Sequence, residues 1–155
     1  MNVTIELLND CPAHWVPAAA TLRKWLNVAS QALADEAKPC KVSIRTVDEK
    51  DSTALNKQYR GKNNPTNVLS FPSDLPAEVT KVLRVIPLGD IALCAPVIEQ
   101  EAAQQGKTLE SHWAHMLTHG FLHLHGYDHK TKAEAKAMES LETDILTCLG
   151  YSSPY

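Results

Sequence analysis

Four segments of the chain carry hydrophobic residues in the pattern of β-strands. In the first, polar and apolar residues alternate, so every second side chain can face a core. In the second, Val42 and Ile44 share one face, and the other two segments are short apolar runs. The predicted strands are 2–8, 41–47, 68–71 and 88–94. This pattern predicts one small sheet.

Five helices are predicted between and after these strands, three from apolar residues at helical spacing and two, 51–59 and 96–105, from capping residues, proline and glycine. Thr131 and Glu134 form a capping box that opens the last one. Its inward side chains are predicted to be Met138, Leu141, Ile145 and Cys148 or Leu149. The predicted helices are 18–33 with Trp25 in the core, about 51–59, 96–105, a histidine-rich helix capped by Thr108 or Ser111, and the helix after Thr131. Segment 73–87 is predicted to be a mobile loop.

The order of these elements predicts the α+β class. We expect a small mixed four-stranded sheet packed against about five helices, in a single domain that covers residues 1–155. A net charge of −3 excludes a generally basic nucleic-acid-binding surface, so any phosphate-binding surface must be local. The four cysteines form no C-x-x-C pair, which predicts reduced, mostly buried thiols in a cytoplasmic protein. No apolar run has the length of a membrane span.

Three histidines have a spacing that suits metal binding. His119 and His123 are four residues apart and stack on one face of a helix. His129 can join them only if the helix ends, because six more helical residues would turn it about 240° away. Gly126 can end the helix, since glycine adopts the left-handed conformation easily. Three histidines leave a position open for water, which indicates a catalytic zinc site.

The neighbouring histidines are excluded as ligands. His125 lies about 200° around the helix from His123. His115 shares the stripe of the candidate ligands, but His115, His119 and His123 span about 12 Å, too far to bind one ion. We expect His112 and His115 to line the approach to the site or to be partly buried polar residues.

The histidine spacing matches that of metzincin proteases, except at one position. Gly120 stands where those proteases carry the glutamate that acts as general base. A peptidase is therefore disfavoured. A zinc deaminase is excluded, because its H-x-E and P-C-x-x-C motifs are missing.

A second stretch, 59–72, combines turn residues with positive charge. Arg60 and Lys62 lie on a predicted exposed turn, followed by a short strand. Functional residues often lie on such loops, but a solvated loop explains the same pattern. From the residues alone, both interpretations stay open.

Both stretches resemble the signature motifs of the YbeY endoribonuclease family. The residues that carry the resemblance are 119–129, 59–62, 65–72 and 88–93. The resemblance implies an α+β fold, zinc ligands at His119, His123 and His129, and a functional arginine at Arg60. It also implies cleavage of single-stranded RNA and maturation of the 3′ end of small-subunit ribosomal RNA. His125 departs from the family pattern, where we expect an aliphatic residue.

The resemblance assigns a role to each candidate residue. One zinc ion would activate water or polarise a phosphoryl oxygen, and Arg60 would hold the scissile phosphate. We name Arg60 and His119 as catalytic, and Asp128, Lys62 and His115 as supporting or substrate-binding residues. Asp128 could orient a ligand histidine or simply shape the turn. The nucleophile is either activated water or the 2′-hydroxyl of the RNA.

Two other functions stay open. One is a non-catalytic ribosome assembly protein with a structural zinc. The other is a zincin-like hydrolase of another substrate, which the glycine at 120 makes weaker. In the favoured interpretation the partners are ribosomal RNA and the small ribosomal subunit with its proteins, in the cytoplasm and without a membrane.

Overall fold

The computed structural model describes residues 3–33 and 38–155. Within them the chain forms four strands and six helices: β1 (Val3–Asn9), α1 (Ala19–Ala32), β2 (Cys40–Val47), α2 (Glu49–Arg60), β3 (Val68–Pro72), α3 (Ala77–Val82), β4 (Ile86–Cys94), α4 (Ala95–Gln105), α5 (Leu109–Leu124) and α6 (Lys132–Cys148). Asn2, which the predicted first strand included, lies outside these residues. No helix in the described ranges is long and apolar enough to cross a membrane.

The sheet is mixed, as predicted. Its order is β1-β2-β4-β3; β1, β2 and β4 are parallel, and β3 pairs with β4 in the antiparallel direction at one edge. Val42 and Ile44 are buried on one face of β2. The single-domain α+β fold with a four-stranded mixed sheet is thus confirmed.

Helix α5 lies at the centre of the molecule. It contacts β3 and β4 on one side and α1, α4 and α6 on the others. Trp113, Leu117 and Phe121 are completely buried along it, and Trp25 of α1 is buried too, as predicted. Because α5 is enclosed on several sides, the backbone that carries its histidines is held firmly in place.

One glycine lets α5 approach the sheet closely. A Cβ atom at Gly120 would lie 3.0 Å from methyl groups of both Ile91 and Val68, and 3.1 Å from the hydroxyl of Ser70. That hydroxyl donates a hydrogen bond of 2.8 Å to the Gly120 carbonyl. Position 120 therefore faces the sheet, and a glutamate has no room there.

Helix α5 ends where the glycine predicts. Gly126 has φ +90°, and its N–H donates to the His123 carbonyl at 3.0 Å. The N–H of Tyr127 donates to the Leu122 carbonyl at 3.1 Å. These two bonds form a Schellman motif, which satisfies the last carbonyls and reverses the chain.

The prediction of a loop over 73–87 is wrong, because this segment contains α3 and the start of β4. No residue of helix α3 is buried, so the helix has no apolar face that hydrophobic periodicity could reveal. Lys38, distant in sequence, supplies the missing stabilisation. Its ammonium donates to the carbonyls of Thr80, Lys81 and Leu83 at 2.9, 2.9 and 3.3 Å, at the end of the helix.

The inward face of α6 agrees with the prediction in its Leu149 alternative. Met138 and Ile145 are buried, Leu141 and Leu149 pack against the core, and Cys148 is exposed. Glu142 is buried in the same face, with 1% of its surface exposed. A carboxylate in this position requires partners, which α5 provides.

Candidate metal centre and its cleft

The structure brings the three predicted ligands together. His119 and His123 project from α5, and the loop after Gly126 returns His129 to them. The three rings offer nitrogen atoms that all lie within 4.8 Å of one another. Nε2 of His119 and Nε2 of His123 are 3.1 Å apart. Nitrogen ligands about 2.1 Å from one tetrahedral ion lie about 3.4 Å apart, so the spacing fits.

The environment of His123 also suits a metal. Burial, followed by the proximity of His119 and His129, lowers the pKa of His123. A lowered pKa favours the neutral imidazole, which is the form that binds metal ions. Imidazole nitrogens suit zinc and several other transition metals. The group can therefore hold a metal ion.

The buried carboxylate of Glu142 orients one of these rings. Its Oε1 accepts from Nδ1 of His119 at 3.3 Å and from Nε2 of His115 at 2.6 Å. The Tyr155 hydroxyl donates to the same carboxylate at 3.1 and 3.2 Å. When Nδ1 of His119 carries the proton, Nε2 presents its lone pair to the cluster.

Glu142 stays ionised in this environment. Burial opposes its charge, but hydrogen bonds from His115 and His119, and attraction to both rings, lower its pKa to about 2. Burial, and then the Glu142 charge, raise the pKa of Tyr155. Sequence reasoning missed Glu142. The available signal was its spacing of four residues from Met138 and three from Ile145, which puts an acid on an apolar face.

Arg60 shares a cleft with the three histidines. The cleft has a volume of about 780 Å³. Its walls come from the end of α2, from β3 and the residues on either side of it, from α5 and from the loop after α5. They include Arg60, Tyr59, Asn67, Phe71, Asp74, His119, His123, Asp128 and His129. Arg60 is exposed and is the last residue of α2, which extends further than predicted.

Two of the three supporting residues, Lys62 and His115, lie outside the cleft. Lys62 is exposed and His115 is 7% exposed; neither lines this cleft. His112 is buried as well and bonds to Glu101 at 2.9 Å. Asp128 lines the cleft, but its carboxylate accepts from the backbone N–H of His129 at 2.8 Å. That bond fits the role of a turn residue, and the Nδ1 of His119 bonds to Glu142 instead.

Two buried polar residues of α2 fix the loop after Arg60. The Ser52 hydroxyl donates to the Thr66 carbonyl at 2.9 Å and accepts from the Thr66 N–H at 3.0 Å. The Asn56 amide donates to the Asn64 carbonyl at 2.8 Å. The loop predicted from turn residues is therefore bound to α2, and this holds the cleft wall in place.

The fold and the cleft together define a small α+β protein with a candidate three-histidine metal centre. The family model described as "Endoribonuclease YbeY" matches residues 12–150. The chain belongs to this family of endoribonucleases.

Curated relatives agree with this assignment over nearly the whole chain. "Endoribonuclease YbeY" of Xylella fastidiosa (strain 9a5c) is 49% identical over 155 residues, which is 100% of this chain and 93% of the relative. The protein of the same name from Xanthomonas axonopodis pv. citri is 47% identical over 144 residues, 93% of this chain and 88% of the relative. The solution structure of TM1509 from Thermotoga maritima has the same fold, with a TM-score of 0.55 at 24% identity; the match covers 96% of this chain and 91% of that one.

Proposed function

We propose that this protein is a zinc-dependent endoribonuclease specific for single-stranded RNA. Its role would be to mature the 3′ end of small-subunit ribosomal RNA and to act in ribosome quality control. The observation that carries the proposal is the position of Arg60 in the same cleft as His119, His123 and His129. Membership of the endoribonuclease family supports it.

One zinc ion is the proposed cofactor, and His119, His123 and His129 would hold it. When bound, zinc lowers the pKa of water and polarises a phosphoryl oxygen. Glu142 orients the ring of His119 through Nδ1. Burial lowers the pKa of His123 and so favours its neutral ring, which binds a metal ion without first losing a proton.

Arg60 would bind the scissile phosphate. A guanidinium group donates two parallel hydrogen bonds to phosphate oxygens and offsets the charge that grows in the transition state. Arg60 is exposed at the end of α2, so it can reach a substrate with little loss of packing. Together with His119 it makes up the catalytic pair of the proposal.

The proposed site of action is the cytoplasm, on ribosomal RNA and in contact with the small subunit and its proteins. The net charge of −3 supports a protein that relies on such partners for RNA affinity. Cys11, Cys40 and Cys94 are free and buried, as suits a reducing compartment.

The test is cleavage of a ribosomal RNA precursor by protein purified without an affinity tag. We expect cleavage that stops with a chelator and returns with zinc. Arg60→Ala should keep its metal and its melting temperature but lose cleavage by about 100-fold or more. Arg84→Ala is the matched control, because Arg84 is exposed and does not line the cleft. A scissile nucleotide without its 2′-hydroxyl would distinguish the two nucleophiles.

The same assay separates the alternatives. A non-catalytic assembly protein with a structural zinc predicts no cleavage by the parent, or equal cleavage by the parent and Arg60→Ala. A zincin-like peptidase would need a general base, and position 120 faces the sheet with no space for a glutamate. Cleavage of a peptide library by the parent, with RNA left intact, would favour that alternative.

A further inference from the structure

A second cavity adjoins the metal cleft. It has a volume of about 680 Å³ and lies between α2 and the strands β1, β2 and β4. Tyr59 and Phe71 line both this cavity and the metal cleft. The two spaces therefore meet at these aromatic rings, and we call the second space the sheet groove.

Tyr59 is an exposed aromatic residue at this junction. About 59% of its surface is exposed, and its ring centre lies 4.8 Å from that of Phe71 at an angle of 61°. Phe71 thus supports one part of the Tyr59 ring and leaves much of it open. Arg60 follows in the chain, so the proposed phosphate ligand and the exposed ring are adjacent.

The wall of the sheet groove suits an uncharged ring better than a phosphate. Its exposed area is mainly apolar; Leu8 and Leu55 contribute to it, and Leu8 is 59% exposed. Two charged residues of the wall are paired. Glu6 binds Lys41 at 2.7 Å and Arg45 binds Asp10 at 2.6 Å.

The charge of Asp90 in the wall also favours a base over a phosphate. Asp90 is exposed and lines the groove. Its carboxylate repels phosphate, whereas it can accept a hydrogen bond from the amino group of a base. Stacking on an aromatic side chain is the usual way in which proteins bind unpaired bases.

We infer that the sheet groove is a subsite for one unpaired base of the RNA, next to the phosphate held by Arg60, and that this base stacks on Tyr59. The inference rests on the proposed function and gives it a physical cause for single-strand specificity. A base in a duplex is stacked and paired, so it cannot enter the groove without the cost of opening the duplex.

The test combines a change in the protein with a change in the RNA. Tyr59→Leu should lower kcat/KM for single-stranded RNA about tenfold, which is the scale of one lost stacking contact. Tyr59→Phe should retain the activity of the parent. In a series of substrates that each lack one base, the kcat/KM of the parent should fall by a similar factor when the missing base lies at one position beside the cleavage site. Loss of that base should not lower the kcat/KM of Tyr59→Leu any further.

Two measurements exclude loss of metal or of folding as the cause of a lower activity. Zinc content and melting temperature should equal those of the parent in both Tyr59 variants. Trp15→Leu is the matched control, because Trp15 is an exposed aromatic residue, 49% exposed, that lines neither cavity. RNA binding is followed by stopped-flow fluorescence of a 2-aminopurine base at the sensitive position, before turnover. Stacking on Tyr59 should quench it.

The outcomes distinguish this inference from the proposed function. If the parent cleaves RNA and Tyr59→Leu cleaves equally well, the sheet groove is not a base subsite and the nuclease proposal stands. If the parent quenches the fluorescent base through Tyr59 but does not cleave, the subsite stands and the nuclease proposal fails. If the parent neither quenches nor cleaves, both are wrong. Equal affinity for duplex RNA would also overturn the subsite.

Discussion

Two carboxylates hold histidines of α5, one near the start of the helix and one near its middle. Near its start, Glu101 of α4 bonds to His112 at 2.9 Å. Further along, Glu142 of α6 bonds to His115 at 2.6 Å and to His119 at 3.3 Å. Both acids bind imidazole nitrogen atoms, but their surroundings differ.

Glu101 serves the packing of the fold. It is 28% exposed and also accepts from the Asn67 amide at 3.1 and 3.2 Å, so it links α4 and α5 to the residue before β3. Glu142 is almost completely buried, and one of its partners is a candidate metal ligand. A carboxylate bonded to an imidazole can therefore have two roles. It holds α4 against α5 at Glu101, and it selects the tautomer of His119 at Glu142.

Removal of Glu142 is expected to have the largest effect. Glu142→Ala leaves the donor of the buried His115 without an acceptor, along with those of the partly buried His119 and the exposed Tyr155, so the free energy of unfolding should fall by about 3 kcal/mol. Loss of the orienting bond should also weaken zinc binding by about 10- to 100-fold. Denaturant unfolding of the metal-free protein and competition with a chelating dye measure the two effects.

A milder substitution separates orientation from folding. Glu142→Gln keeps the shape and should lose less stability, yet its zinc affinity should still fall. Glu101→Gln is the matched control near the start of α5, and its zinc affinity should equal that of the parent. Equal affinity in Glu142→Gln would show that Glu142 serves packing alone.

A change in the cluster itself should act mainly through the metal. His123→Ala is expected to lose zinc and to melt earlier than the zinc-loaded parent, because a ligand at 100 times its Kd stabilises the folded state by about 2.7 kcal/mol. With chelator present, the difference in melting temperature should largely disappear. Elemental analysis and thermal unfolding, each with and without chelator, test this. A variant that keeps one equivalent of zinc would contradict the proposed ligand set.

The pair of His112 and Glu101 should make the free energy of unfolding depend on pH. Burial lowers the pKa of His112, although the bond to Glu101 opposes the shift. The unfolded chain therefore takes up this proton at a higher pH than the folded protein does. Stability is full above the unfolded pKa of about 6.5 and falls as the pH drops below it, by at most about 1.4 kcal/mol per unit for one proton.

This part of the pH dependence should be missing in His112→Gln. Urea unfolding of the metal-free proteins between pH 7 and pH 5 provides the comparison. The variant should be less stable at pH 7, where it lacks the bond of the imidazole to Glu101, and its slope should be smaller. An unchanged slope would mean that His112 is protonated in the folded protein.

The smallest effect is expected at His125. Its ring packs against Phe121 with centres 4.6 Å apart, and it is not part of the cluster. Its Nε2 is buried and has no hydrogen-bond partner in the described part of the chain. His125→Leu should therefore leave zinc content and cleavage within about twofold of the parent. Lost zinc would show that the ligand set is different.

The sequence predicted the local parts of the site better than the distant ones. His119, His123, Gly126 and His129 lie within eleven residues, so helix geometry and one turn determine how they meet. Glu142 lies in another helix, and its contact with His119 depends on how α6 packs against α5. Spacing along the chain carries no information on that packing.

The same limit explains the errors in the fold. Helix α3 is stabilised by Lys38, which lies more than forty residues away in all three of its bonds, and not by a hydrophobic face. The sheet groove needs β1, β2, β4 and α2 together. Local sequence patterns predicted these three strands and α2 but not the space between them.

The close contact of Gly120 with the sheet bears on how this scaffold could be redesigned. Even alanine would require methyl groups of Ile91 and Val68 to move by a few tenths of an ångström. A glutamate would insert a carboxylate between α5 and the sheet, against Ile91, Val68 and a Ser70 hydroxyl that already donates to the Gly120 carbonyl. The familiar peptidase motif is therefore not one substitution away, although three of its histidine positions are already filled. To give this scaffold peptidase chemistry, a designer would have to place the general base on the cleft side, on β3 or on the loop after α2.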